Sequence, residues 1–308
     1  PDWKKDYRKL LAWSLVSLAV IAGCIVFFLG TNIWDHIIQS YVGRNFTMPE
    51  RLLTESRILF FYLSLLVYPF PARLNLNHDF SISHAIFSPP QTALSLAGLA
   101  VMIALIPLLF KRYRLISFAI VWFLGNLLIE STIVPLELIY EHRLYLPAII
   151  PLLAAVATAY RFSEKKPWLA RTSCILIIVL FSLWTWQRNE IWHDNIRLWN
   201  DVISKSPQNA RAQNNLGVAN NRLGDKRGAE KHFARAIEAD PEYRVAYQSL
   251  ASLYISQNRL KEAERILQKA LTRSTYLNPS AIYHSLGIVA QKSGRYQKAI
   301  TYTQLALK

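Results

Sequence analysis

Five apolar runs, residues 10–29, 93–110, 115–129, 144–160 and 173–186, crowd the first 187 positions of this 308-residue chain, and no comparable run follows. Each approaches the ~20 residues that a helix needs to cross a hydrocarbon layer, the shorter ones drawing on their flanks. Backbone that passes through lipid must satisfy its own hydrogen bonds, so region 1–187 is restricted to a multi-span bundle of membrane helices. The composition, 52% hydrophobic and 18% charged, suits that class because the apolar residues are so unevenly placed.

The chain opens on Pro1, and the charged stretch 1–9 before the first run reads as an internal start, not a signal peptide. Cys24 and Cys174 sit inside apolar runs, where a thiol serves as a small buried hydrophobe; neither a disulfide framework nor a zinc site is expected.

The net charge of +15 informs through its placement, because Lys and Arg in short loops stay cytoplasmic. Three clusters qualify: Lys4, Lys5, Arg8 and Lys9; Lys111, Arg112 and Arg114; Arg161, Lys165, Lys166 and Arg171. With all three in the cytoplasm, loops 30–56, 71–91 and 130–143 and everything after Trp186 share the opposite side. Segment 57–70 would invert that count if it crossed. Pro69 and Pro71 stop it, so it reads as a re-entrant or interfacial helix, an ordinary short span with a further crossing elsewhere being the alternative.

From residue 208 a helix-pair pattern recurs with a period of about 34 residues. Leu216, Gly217, Gly224, Ala229, Phe233, Ala236 and Pro241 are similar to the tetratricopeptide pattern, in which small residues let two antiparallel helices approach and large ones fill the seam. One period later stand Tyr247, Leu250, Ala251, Tyr254, Ala263, Leu267 and Ala270. A third unit, with Leu286, Gly287, Gly294, Ala299 and Ala306, follows an insertion at 275–278, and its last helix has no polar cap behind it. Trp199 and Pro207 fall where the Phe and Pro of a preceding unit would fall. Residues 188–207 therefore read as a junction with a partial capping repeat, and 208–308 as an array of about two and a half to three repeats. The expected fold is all-α: a polytopic transmembrane bundle followed by a tetratricopeptide solenoid, joined almost without a linker and so held near the membrane surface.

Such solenoids bind polypeptides in a concave groove. Asn214, Asn215, Asn220, Asn221 and Arg222 are its candidates here, although the same residues suit a solvated face. Beyond Ser204 basic groups outnumber acidic ones by roughly ten, which favours acidic polypeptides or anionic head groups. No aromatic residues interleave a basic stripe, so nucleic acid is not expected as a partner.

The most informative short string is Glu141-His142-Arg143-Leu144-Tyr145-Leu146-Pro147, where an outer loop meets an apolar run. Pro147 suits a first helical turn and Tyr145 a membrane interface. A guanidinium bridges two phosphate oxygens and an imidazole adds a donor or a titrating proton, so His142 and Arg143 are candidates for a lipid phosphate. The same residue types at a span end also snorkel to head groups, and Glu141 can simply pair with Arg143. His78, Asp79 and His84 could suggest a metal, but on an irregular loop they suit surface hydrogen bonds, and no metal is expected. Asn45-Phe46-Thr47 is a glycosylation sequon, relevant only in a eukaryotic secretory pathway.

That heptapeptide is preceded by the stretch from Leu52, Leu53, Thr54 and Glu55 to Tyr68 and Pro69. One further span, Trp192-His193-Asp194 and the repeats follow it. In this order the parts resemble the transmembrane-and-tetratricopeptide protein O-mannosyltransferase-like family and its bacterial relatives, multi-span GT-C glycosyltransferases. The resemblance covers essentially the whole chain. It implies transfer of a sugar from a polyprenyl-phosphate carrier, dolichyl-phosphate in eukaryotes, to a protein hydroxyl on the non-cytoplasmic face, with no cofactor beyond that lipid-linked donor. His142 and Arg143 then take the phosphate role, and Asp79, Glu141 and Tyr145 become candidates for the sugar or lipid site, shaped by Pro69 and segment 57–70. An inverting displacement also needs a carboxylate base. In the family it sits in the first large outer loop, and loop 30–56 holds Asp35 and Glu50 but no adjacent acidic pair. The chain thus resembles the C-terminal half of such an enzyme, with the base expected upstream and no activity expected of this part alone. The setting implied is a bacterial inner membrane with a periplasmic arm, or an endoplasmic reticulum membrane with a lumenal one. Two rival readings are a membrane-anchored tetratricopeptide scaffold without activity and a polysaccharide ligase or polymerase.

Overall fold

The computed structural model describes residues 33–42, 44–128, 130–273 and 279–307. The apolar run 10–29 with Cys24, the basic cluster from Lys4 to Lys9 and the insertion at 275–278 lie outside the described residues. Among the described residues the secondary structure is helical, thirteen α-helices joined by turns, with a single isolated bridge between Ala85 and Ser88.

Helix α1 spans Ile33–Gln39 and α2 spans Met48–Val67. The start of α2 corrects the reading of 30–56 as one loop: Thr47 and Glu50 form a reciprocal capping box, Pro49 sits in the first turn, and the helix begins nine residues before Arg57. Thr47 of the sequon is thus a helix N-cap. Pro69 and Pro71 end α2, and a 3-10 turn, Pro71–Arg73, follows.

Helices α3 (Gln91–Phe110), α4 (Arg114–Leu127), α5 (Tyr145–Phe162) and α6 (Pro167–Trp192) come next, with a 3-10 turn, Glu141–Leu144, leading into α5. By length and composition three segments can cross a membrane: Gln91–Phe110, Glu141–Phe162 and Pro167–Trp192. Helix α4 was expected to reach residue 129 but is helical for only 14 residues, about 21 Å at 1.5 Å per residue, short of a ~30 Å hydrocarbon core. The chain beyond it is drawn aside: Arg51 captures the carbonyls of Glu130 and Thr132.

Helix α2 packs Ile58, Leu59, Tyr62 and Leu65 against Phe123 and Leu127 of α4 and Leu144. Glu50 pairs with His84, 2.6 Å away, near the first end of α2, and the carbonyl of Pro71 just past the other accepts from Lys205 of the arm at 3.0 Å. Along its length α2 follows α3, with Thr54 near Thr92, Phe60 against Gly98 and Leu63 beside Met102, while the α3–α4 and α5–α6 turns, with their Lys and Arg clusters, lie at the opposite end of α3 from Thr92.

The arm begins two residues after α6. Asp194 caps α7 (Asn195–Lys205), and three helix pairs follow: α8 (Ala210–Arg222) with α9 (Lys226–Ala239), α10 (Arg244–Ser256) with α11 (Leu260–Arg273), and α12 (Ser280–Lys292) with α13 (Tyr296–Ala306). One core runs through Phe233, Tyr247, Leu250, Leu267, Ile282 and Leu286. At Gly217 an added Cβ would lie 2.7 Å from the Phe233 ring, so glycine sets the α8–α9 approach. The turn inside each pair uses the left-handed backbone region: Gly224 (φ 86°), Asn258 (φ 59°) and Gly294 (φ 72°), Asn being the side chain that best tolerates it.

Candidate functional site

Connection 74–83, between α2 and α3, is fixed from two sides. From the arm, Lys205 Nζ donates to the carbonyls of Pro71 (3.0 Å) and Leu74 (2.8 Å), and Ser206 Oγ accepts from Asn75 Nδ2 (3.0 Å) and from the Asp79 backbone N–H (3.2 Å). Asn77 Nδ2 adds a bond of 3.1 Å to Asn209 Oδ1, the N-cap of α8. From the bundle, Glu141 Oε1 accepts the Asn75 backbone N–H and lies 2.9 Å from His78 Nε2, while the Arg57 guanidinium stacks 4.7 Å from the Phe80 ring.

Two clefts share this connection as a wall. The first, about 800 Å³, is apolar and opens among α2, α5 and α6; Leu65, Leu66, Pro69, Leu74, Leu152, Phe181 and Trp184 line it, together with Tyr145. Its polar lining is Glu141, Thr185, Arg188 and Asn189. Arg188 Nη1 lies 2.6 Å from Asp201 Oδ2, and Lys205 approaches the other oxygen of Asp201 at 2.7 Å, so one carboxylate serves two cations. The second cleft, about 540 Å³, is polar and lies between the loops around Arg44, His78 and Glu137 and the first helix pair of the arm. It is lined by Asn77, His78, Asp79 and Phe80 of the wall, by Arg44 and Glu137, and by Arg211, Asp240 and Tyr243 of the arm. Glu137 Oε1 receives Arg44 at 3.2 Å and Arg211 at 3.3 Å, an ionic bridge from bundle to arm. The pair Glu141–His78 joins the clefts, since Glu141 lines the first and His78 the second.

Loop 130–140 behind them is held by two arginines. Arg51, fully buried in α2, donates to the carbonyls of Glu130 (2.6 Å), Thr132 (2.9 Å) and Leu136, and its Nη2 lies 2.9 Å from Glu55 Oε1. Arg143 brings Nε to 2.8 Å from Glu130 Oε2, donates to the Glu137 carbonyl at 2.8 Å and stacks on the Tyr140 ring. Burial pushes the Glu55 carboxyl up to about 7, against the opposing pull of Arg51 and a hydrogen bond from Ser131.

The structure therefore separates the residues grouped by the sequence. Glu141 and Tyr145 line the apolar cleft and Asp79 the polar one; Arg143 faces loop 130–140; His142 is exposed, its ring stacked on Tyr140 at 5.1 Å. In the arm, Asn214 is buried with Oδ1 unpartnered, Asn215, Asn220 and Asn221 are half-buried, and Arg222 is exposed. Asn221 Oδ1 accepts from Lys226 at 2.6 Å, in the turn between α8 and α9. No group of three metal-ligating side chains occurs among the described residues. Sequence reasoning passed over Arg188, Asp201 and Lys205. Their signal was an Arg closing an apolar run, followed 13 and 17 residues later by an Asp and a Lys one helical turn apart.

The tetratricopeptide repeat family matches residues 192–244 and again 222–274. Over 120 residues, 39% of this chain, the sequence is 27% identical to the protein O-mannosyl-transferase TMTC3 of Homo sapiens, and the match spans 13% of that protein's length. A crystal structure of MamA protein is 25% identical over 36% of this chain and 60% of its own, with a TM-score of 0.33; a second MamA structure is 21% identical over 50% and 85%, also at 0.33. Residues 192–274, from the end of α6 to the second full helix pair, are tetratricopeptide repeats.

Proposed function

We propose that this chain is the C-terminal part of a membrane glycosyltransferase-like protein, in which a polyprenyl-phosphate-linked sugar occupies the apolar cleft and a polypeptide carried by the repeats reaches the polar one. The observation that carries this reading is the shared wall 74–80, with Glu141 and His78 paired across it at 2.9 Å. An isoprenoid chain fits between α5 and α6, the two neighbouring helices that can cross a membrane. Arg188 supplies the cation on that side, and we assign Tyr145 and exposed His142, at the start of α5, to the head-group level. Arg143 then serves the phosphate indirectly, by holding loop 130–140. In the transfer, an acceptor hydroxyl oxygen bonds the anomeric carbon, the bond from sugar to phosphate breaks, polyprenyl phosphate leaves, and a carboxylate base takes the hydroxyl proton. We assign that base to none of the residues named here.

We assign the basic α3–α4 and α5–α6 turns to the cytoplasm, which leaves the arm on the opposite side. The similarity to a protein O-mannosyl-transferase supports the same reading. A non-enzymatic scaffold is the second reading, favoured by the pairing of Arg51, Arg143 and Arg188 with carboxylates. Isoprenoid-phosphate binding to the full-length protein in nanodiscs separates the two. Ala148→Trp, which fills the apolar cleft, should weaken that binding at least about tenfold and leave polypeptide binding to the arm unchanged; equal binding by both forms contradicts the transferase reading.

A further inference from the structure

Opposite the buried seam of Ala229, Phe233 and Ala236, α9 exposes Arg227, Lys231 and Arg235 at i, i+4 and i+8. Helix α11, one repeat later, exposes Lys261, Arg265, Lys269 and Arg273 in the same register, opposite Ala263, Leu267 and Ala270. The two rows are tied at one end: Arg259 binds Glu230 of α9 at 2.7 Å and Glu262 of α11 with Nε at 2.7 Å. Glu264 of α11 is taken by Arg295 at 2.8 Å. Glu230, Glu262 and Glu264 are thus held by two other arginines, Glu262 also lying near Arg265. Glu238 is the exposed acid of α9, with Asp225 and Asp240 at the ends of the helix, so the seven cations outnumber the acids around them. None of the seven row residues forms an ion pair among the described residues.

We propose that the outer faces of α9 and α11 form a two-row basic surface that binds an acidic polypeptide in extended conformation. Side chains four apart on a helix are separated by about 6 Å along its axis. Alternate side chains of an extended chain repeat at about 6.7 Å, so a polypeptide with a carboxylate at every second position keeps step with three cations of one row. The direction of the rows favours a chain molecule over a membrane surface. The arm meets the bundle through Asn209, Arg211 and Tyr243, at the N-terminal ends of the first helices and the loop after α9. Each row therefore runs away from the bundle, so a flat surface would meet only one end of it. The surface is independent of the two clefts and of the transferase reading.

The test uses the full-length protein in neutral-lipid nanodiscs and a fluorescent peptide of about 12 residues alternating Glu and Ser, with an alternating Gln and Ser peptide as control. At about 50 mM salt the acidic peptide should bind at least about tenfold more tightly than the control, and less tightly as salt rises. Two triple variants, Arg227→Gln with Lys231→Gln and Arg235→Gln, and Lys261→Gln with Arg265→Gln and Lys269→Gln, should each weaken binding at least about tenfold. Lys292→Gln with Lys298→Gln, off the rows, should change it less than about twofold. The triples are read separately, so a folding defect in one leaves the other as the test. Equal binding of both peptides, or triples that bind as tightly as the unaltered chain, would overturn the proposal. Tighter capture of anionic vesicles or single-stranded polynucleotide through the same six residues would overturn it too, and assign the surface to that class.

Discussion

Glu55, expected in loop 30–56, is buried inside helix α2 with Arg51 beside it, and its carboxyl is raised from 4.5 to about 7. The folded state therefore keeps a proton that the unfolded chain has lost between those two values, so stability is full below pH 4.5 and falls as pH rises toward 7. Glu55→Gln should remove that loss, on the order of a few kcal/mol across the whole interval, in pH-dependent unfolding of the detergent-solubilised protein. Arg51→Ala should cost about 3–5 kcal/mol, because it strips three carbonyls of their donor and leaves Glu55 without its cation. Restoring part of that loss by adding Glu55→Gln would show that the stranded carboxyl carries much of the cost. The spacing of Arg51 and Glu55, four residues apart, stands in the sequence, but the reading of 30–56 as a loop hid the helical turn that pairs them. The inward turn of Arg143 was not legible there, since the carbonyls that hold it come from a loop whose path only the fold determines.

At the scale of elements, the signals that could be read were those local in the chain. The repeat spacing anticipated Phe233, Leu250, Leu267 and Leu286 in the arm core, and prolines marked the end of α2. The start of α2 was also written locally, as Thr47 and Glu50, but an expected loop concealed it. Gly217→Val tests the helix-pair seam: the new side chain meets Phe233 and should cost about 1–3 kcal/mol, read as a lowered melting temperature. The latch between arm and bundle depends on residues more than 120 positions apart, a pairing invisible to spacing. Lys205→Met should free it, seen as faster hydrogen exchange in 71–79 with the repeat helices still protected; unchanged exchange would mean that Ser206 and Asn209 hold the arm without it.

Across the whole molecule, hydrophobic distribution and repeat period were enough to anticipate a helical bundle followed by a solenoid, because both are properties of composition along the chain. The site itself was legible in fragments. Glu141, Tyr145 and Asp79 were singled out together, yet they line two clefts, and the wall between those clefts is held from one side by α7 and Ser206 and from the other by Glu141 and Arg57. The division of labour between the clefts is open to site-specific photocrosslinking in the full-length protein in membranes. A benzophenone side chain at Leu152 in the apolar cleft and another at Asn77 in the polar one would be exposed together to a polyprenyl phosphate and a repeat-bound polypeptide. Lipid should be captured from Leu152 and polypeptide from Asn77; lipid captured equally at both positions, or polypeptide captured from Leu152, would contradict two substrates meeting across a common wall.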